Sequence, residues 1–133
     1  MRVVFDTNIY ISALIFPGSQ AEKAILKIIE GKDTLILSRE IIKEILSVLS
    51  KKFSKDREAI SRVAVNLSEM GELVEPSEKT DILEDRADNR ILECAAAGNA
   101  EIIVTGDKAM LKLKRYGNTR IISLKEYLQP RGD

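Results

Sequence analysis

The sequence predicts an α/β fold in which a central, mainly parallel sheet is flanked by helices on both sides, an α/β/α arrangement in three layers. Two observations carry this. Four short and almost continuously apolar runs, at residues 2–5, 34–37, 101–105 and 119–124, have the length and β-branched content of strands covered on both faces. The segments between them repeat their apolar residues at helical spacing, and helices that join buried strands produce a parallel sheet with crossover connections.

Taken in order, "RVVF" at 2–5 is β-branched and aromatic and runs directly into Asp6. "SQAEKAILKIIEG" at 19–31 places Ala24, Ile25, Ile28 and Ile29 on one helical stripe. "TLIL" at 34–37 follows the break "EGKD". "SREIIKEILSVLSKKF" at 38–53 starts at Ser38, a favoured N-cap, and buries Ile41, Ile42, Ile45 and Leu49. "KDREAISRVAVNLSEMG" at 55–71 and "ADNRILECAAAG" at 87–98 are further helices, each ending at a glycine. "EIIVT" and "TRIISL" follow the breaks "AGN" and "YGN". With no repeat, low-complexity tract or linker, residues 1–128 form one domain and 129–133, "QPRGD", a loose tail whose "RGD" is a chance match.

Composition removes whole classes of chemistry. The 133 residues contain no histidine, which excludes Ser-His-Asp and Cys-His catalysis, histidine general bases and imidazole-ligated zinc. The single Cys94 cannot form an internal disulfide and, among alanines, suits a small buried thiol in a reducing compartment. Formal charge is zero, so long-range steering onto nucleic acid is weak. No apolar run approaches the roughly 18 residues that span a bilayer, and Asp6 comes too early for a signal peptide. A cytoplasmic protein with no membrane partner is the expectation.

What remains is carboxylate chemistry. In open α/β sheets ligands bind beyond the carboxyl ends of the strands, and there the sequence places Asp6 after the first strand and Asp107, in "VTGDK", after the third. Each also fits as an N-cap of the helix that follows. Asp88 lines up with Ile91, Leu92 and Ala95 on the apolar face of its helix, where an unpaired carboxylate is costly unless a cap, a cation or a metal answers it. Glu93 projects off that stripe and is expected as a solvated surface charge. Glu44 borders the buried stripe of its own helix, one turn before Val48. Acids without nitrogen or sulfur ligands select Mg²⁺ or Mn²⁺, which retain waters and accept substrate phosphates as further ligands. Such ions activate water and neutralise a leaving oxygen, which is phosphodiester hydrolysis without histidine.

"VVFDTNIYISALI", "SREIIKEILSVL" and "DRADNRILECAAAGNAEIIVTGDKAML" resemble, in order and spacing, the PIN domains, and in particular those related to the VapC ribonucleases of toxin–antitoxin pairs. The resemblance runs over residues 1–128. It implies an Mg²⁺- or Mn²⁺-dependent endoribonuclease with Asp6, Glu44, Asp88 and Asp107 as catalytic acids. Asp6, Asp88 and Asp107 would bind the metal, while Thr7, Asn8 and Thr105 would support them. Glu40 is the rival for the glutamate position, and Asp85 is either an accessory acid or a surface charge. The resemblance further implies an RNA substrate, a cognate antitoxin and a homodimer, with the helices at 19–30 and 57–70 as candidate interfaces.

Basic residues at 51–57 and 108–115 are candidates for backbone contact, Lys108 and Arg115 foremost because that run begins beside Asp107. Scarce aromatics disfavour readout by stacking. An aspartyl-phosphate mechanism of the haloacid dehalogenase pattern wants a second acid two residues after Asp6, where this chain has Asn8. The alternative from another class is a PIN-fold RNA- or protein-binding regulator with little or no nuclease activity.

Overall fold

Asp6, Ser19, Ser38, Asp56, Asp85, Asp107 and Ser123 each stand just before a helix, and in each the side-chain oxygen accepts a backbone N–H of the first turn. Such caps satisfy donors that the helix itself leaves unpaired, typically worth about 1 kcal/mol apiece. The structure, a computed structural model, describes residues 1–53 and 56–130. Its helices are α1 (Thr7–Ile15), α2 (Gln20–Ile29), α3 (Arg39–Lys52), α4 (Arg57–Met70), α5 (Arg86–Ala97), α6 (Lys108–Leu113) and α7 (Leu124–Leu128). Its strands are β1 (Arg2–Phe5), β2 (Thr34–Leu37), β3 (Glu72–Leu73), β4 (Ile102–Val104), β5 (Arg115–Tyr116) and β6 (Thr119–Ile122).

The strands form one sheet in the order β3-β2-β1-β4-β6-β5. Val3 of β1 lies opposite Leu35 of β2 and Ile102 of β4, both parallel, and β5 runs antiparallel to β6. The three middle strands explain why the fold is legible as α/β: Val3 to Phe5, Leu35 to Leu37 and Ile102 to Val104 are all buried, with no face left for water. α5 packs on β1, β2 and β4 and against α3, while α1 packs on α2 and α3, and α2 on α7. At roughly 1.5–3 kcal/mol per buried large aliphatic or aromatic side chain, this core is the main favourable term of folding.

The predicted helices appear, with Ser38 capping α3 as expected, and the departures have physical causes. α1 is apolar almost all round, so it carries no amphipathic signature; Ile9, Tyr10 and Ile11 are buried, yet Leu14 and the following Phe16 are exposed. The fourth strand ends at Ile122 because Ser123 caps α7, and an apolar run does not mark where strand gives way to helix. Strands of two residues, β3 and β5, are too short to leave a periodic trace. Glu93, expected in solvent, is instead 5% exposed, because the connection at 74–85 lies over that side of α5. Position 55 of the helix expected at 55–71, positions 54 and 55 of the basic run at 51–57, and 131–133 of the expected tail lie outside the described residues. Cys94 is fully buried, and burial pushes its thiol up to about 12, so it is chemically quiet.

Where α5 meets the sheet there is no room for a side chain at Gly98. A Cβ added there would run into Ile36 Cγ2 and lie 3.4 Å from Val74 Cγ1, and Ile36 is fully buried and β-branched. Gly98→Ala is expected to cost about 1–3 kcal/mol of stability by overpacking. The readout is a lower urea midpoint at an unchanged slope.

Candidate functional site

The parallel register of β1 and β4 sets Phe5 opposite Val104, so the residues that follow, Asp6 and Thr105, emerge together at one rim of the sheet. There the Asp6 backbone N–H donates to the Val104 carbonyl at 3.0 Å. The Thr105 hydroxyl, which is fully buried, donates to Asp6 Oδ2 at 2.7 Å and accepts the Asp107 N–H at 3.0 Å. Asp6 Oδ1 accepts the Asn8 N–H at 3.2 Å and Asp107 Oδ1 accepts the Met110 N–H at 2.9 Å. Both acids therefore do cap helices, as their sequence positions allow. The cap occupies only Oδ1 of Asp107; its Oδ2 accepts no hydrogen bond among the described residues.

α5 brings two more acids to this rim. Asp85 caps it through the Ala87 N–H at 2.8 Å, and Asp88 sits in its first turn. Asp88 is 8% exposed, yet among the described residues its carboxylate accepts no hydrogen bond and meets no cation. Burial first, and then the charges of Asp107, Asp85 and Asp6, push Asp88 up to about 7. Asp6 is also raised, by burial above all; its bonds from Thr105 and Asn8 work against that, while Asp107 and Asp85 add to it. In both groups burial disfavours the charged form first, and neighbouring carboxylates add to it.

Asp33, at the start of β2, is a useful contrast. It is equally buried, but it accepts the Tyr127 hydroxyl at 2.6 Å and faces the Met1 amino group at 3.2 Å and Lys27 at 3.7 Å. A structural acid in this protein is answered by cations. Among the described residues, Asp6 and Asp88 are not.

Glu44 is half-buried on α3 and lines a cleft of about 150 Å³ together with Thr7, Glu40, Arg86 and Arg90. Glu40 shares the cleft, so the geometry admits either glutamate, and neither is among the charges that raise Asp6 or Asp88. Thr7 is buried, Asn8 contributes its backbone N–H, and Lys108 and Arg115 are exposed, Lys108 opening α6 directly after Asp107. Sequence reasoning missed Asn89, Arg90 and Glu93, which hold the 74–85 connection. The i, i+3 pairing of Arg90 with Glu93 was the one available signal.

Among the described residues no three Asp, Glu or Cys side chains converge closely enough to form a ready-made metal cage. The donor set nonetheless fits a hard cation of the Mg²⁺ type. It is entirely oxygen, it carries uncompensated negative charge, and such an ion keeps several waters and binds through one or two carboxylates.

Among the described residues, acids that no cation answers thus stand along the carboxyl rim of the strands, which is where open α/β sheets bind their ligands. The chain belongs to the PIN domain family: a sequence model of the PIN domain matches residues 2–109. It is 32% identical over 118 residues to the uncharacterized protein MJ1680 of Methanocaldococcus jannaschii, an overlap covering 86% of this chain and 76% of that one. Among solved structures, it resembles VapBC2 from Rickettsia felis bound to a DNA fragment from their promoter, with TM-score 0.66, 23% identity and coverage of 92% of this chain and 98% of the other. It also resembles VapBC-1 from nontypeable Haemophilus influenzae, with TM-score 0.64, 19% identity and coverage of 94% and 99%. At these identities the structural likeness establishes the shared fold.

The raised Asp88 makes a pH prediction for the protein in EDTA. A carboxyl whose folded value is about 7 contributes stability that is present below the ordinary carboxylate range, near 3.9, and lost as pH rises through 7. Asp88→Asn removes that loss. The variant is expected to melt above wild type at pH 8, with the gap shrinking at pH 5.5. A gap of equal size at both pH values would mean that charge at Asp88 is not what opposes folding.

Proposed function

We propose that this chain is a divalent-metal-dependent endoribonuclease acting in the cytoplasm as the toxin of a toxin–antitoxin pair. The observation that carries this reading is the pair of buried acids at the rim, Asp6 and Asp88, that no cation among the described residues answers. Asp6, Asp88 and Asp107 would hold Mg²⁺ or Mn²⁺, with Glu44 contributing from the α3 side. When bound, such an ion supplies Lewis-acid charge stabilisation at a phosphodiester and lowers the pKa of water.

The chain's own groups have defined work in this scheme. Thr105 turns Asp6 by donating to one of its oxygens and steadies the Asp107 backbone with the other side of the same hydroxyl. Asn8 and Met110 fix one oxygen of Asp6 and of Asp107 through their N–H groups, so neither carboxylate has to be ordered when the ligand arrives. Thr7 closes the site on the Glu44 side. Lys108 and Arg115 would meet backbone phosphates, which position nucleic acid without reading its sequence.

For the partner, support comes from the VapBC complexes that share the fold and from an apolar groove of about 300 Å³ between α1, α2 and α4, lined by Leu14, Ile25, Leu26, Ile29 and Val63 among others. Leu26 and Ile29 are 44% and 63% exposed, so the groove presents apolar surface that an antitoxin segment would cover. A homodimer belongs to the same reading. Asp6, Asp88 and their neighbours are not drawn into a closed cage, and this favours a second reading, in which the protein binds RNA or protein with little cleavage.

One assay separates the two: a mixed RNA pool incubated with Mn²⁺ and either wild type or Asp6→Asn. Asparagine caps a helix about as well as aspartate, so the variant keeps α1 but is expected to lose cleavage while remaining folded. Equal cleavage by both proteins would assign the activity to a contaminant and leave the binding reading. Independently, Mg²⁺ or Mn²⁺ at a hundred times its Kd is expected to stabilise the fold by about 2.7 kcal/mol by mass action. Melts that coincide in metal and in EDTA would remove the metal site. Reversing charge at Lys112, Lys114 and Arg115 is expected to weaken RNA binding and flatten its salt dependence, and unchanged binding would remove that face from the scheme.

A further inference from the structure

Residues 74–85 cross from β3 to α5 without regular secondary structure, and α5 holds this strap by its backbone. The Asn89 side chain makes a closed, two-point clamp on Leu83: Oδ1 accepts the Leu83 N–H at 3.0 Å and Nδ2 donates to the Leu83 carbonyl at 2.8 Å. One turn further on, Glu93 accepts the Thr80 N–H at 2.8 Å, and Arg90, paired with Glu93 at 2.9 Å, donates to the Thr80 carbonyl at 3.1 Å. Asn89 is 1% exposed. An amide buried so completely is a commitment, because any loss of its partners leaves polar groups unsatisfied.

The clamp's place in the chain says what it governs. Leu83 lies two residues before Asp85, the cap of α5, and Asn89 follows Asp88 directly. The strap's last residues and the first turn of α5 are thus tied into a ring that contains both acids. Asp88 is repelled by Asp107, Asp85 and Asp6, and Asp6 by Asp85, a repulsion that fraying the first turn of α5 would relieve. We infer that Asn89 is a positioning residue of the acidic site, its clamp on Leu83 holding Asp85 and Asp88 at the rim against the repulsion of Asp6 and Asp107. The inference rests on the metal site proposed above and adds Asp85 to the acids whose placement matters.

A fastening that only stabilises the loop and one that sets the site differ in their linkage to the cation. If the clamped arrangement binds metal better, metal must favour the clamp by the same factor. Mn²⁺ titration of the intact chain by calorimetry is expected to give about tenfold or more weaker binding for Asn89→Ala, the range seen when groups that orient ligands are removed. Glu93→Gln, which loosens the strap at Thr80, is expected to stay within about threefold of wild type on the same scale. In wild type, hydrogen exchange at the Leu83 amide is expected to slow on saturation with Mn²⁺ by more than at Thr80, a measurement that stands even if Asn89→Ala fails to fold. A folded Asn89→Ala that binds Mn²⁺ as tightly as wild type, or a Leu83 amide indifferent to Mn²⁺, overturns the inference while leaving the metal site intact. A wild type that binds no Mn²⁺ overturns the metal site and the inference with it.

Discussion

The Thr105 hydroxyl, buried between the Asp6 carboxylate and the Asp107 backbone N–H, is the contact on which the acidic rim depends. It exists only because β1 and β4 pair in parallel with Phe5 opposite Val104, so that the residue after each strand arrives at the same height. A parallel pair displaced by one residue would turn every side chain to the other face of the sheet and separate the hydroxyl from the carboxylate. The register is in turn fixed by packing: Val3, Val4, Phe5, Ile102, Ile103 and Val104 have no solvent face to offer an alternative.

Charge is treated differently at different places in the chain. Asp33 is neutralised by an amino terminus, a lysine and a tyrosine hydroxyl, and its burial is satisfied within the fold. The acids at the other end of the strands find no such answer among the described residues, and Asp6 and Asp88 are displaced upward by burial first and by neighbouring carboxylates second. Buried like charges are retained against stability where function needs them. Here the fold meets the cost with local devices, each a hydrogen bond that fixes a carboxylate or the backbone beside it.

α5 carries three tasks on one short helix. Ile91, Leu92 and Ala95 pack into the core, Asp85 and Asp88 occupy its first turns at the rim, and Asn89, Arg90 and Glu93 hold the strap. That division explains why a helix of this length has so few residues in free solvent and why Glu93, polar and off the apolar stripe, is nonetheless buried. It also explains why Gly98 closes the helix: the sheet, through Ile36, leaves no volume there.

Local pattern in the sequence was enough to determine the α/β class, the four main strands, the four longer helices between them, the Ser38 cap of α3 and the candidate acids. These follow from periodicity, capping chemistry and the absence of histidine, which are properties of neighbouring residues. The all-apolar α1, the strand-to-helix change at Ser123 and the two-residue strands were not legible, because none of them produces a distinctive period. Asp6 and Asp107 could be placed after strands from the sequence, but whether they cap or face a ligand was undecidable, since one residue does the first with one oxygen and leaves another for the second. Which acids share a field, that Asp85 is one of them while Glu44 lies in an adjoining cleft beside Glu40, and that Asn89 grips Leu83, were decided only by tertiary structure. Electrostatic coupling and side-chain hydrogen bonds depend on distances through space, and those are set by strand register and helix docking rather than by spacing along the chain.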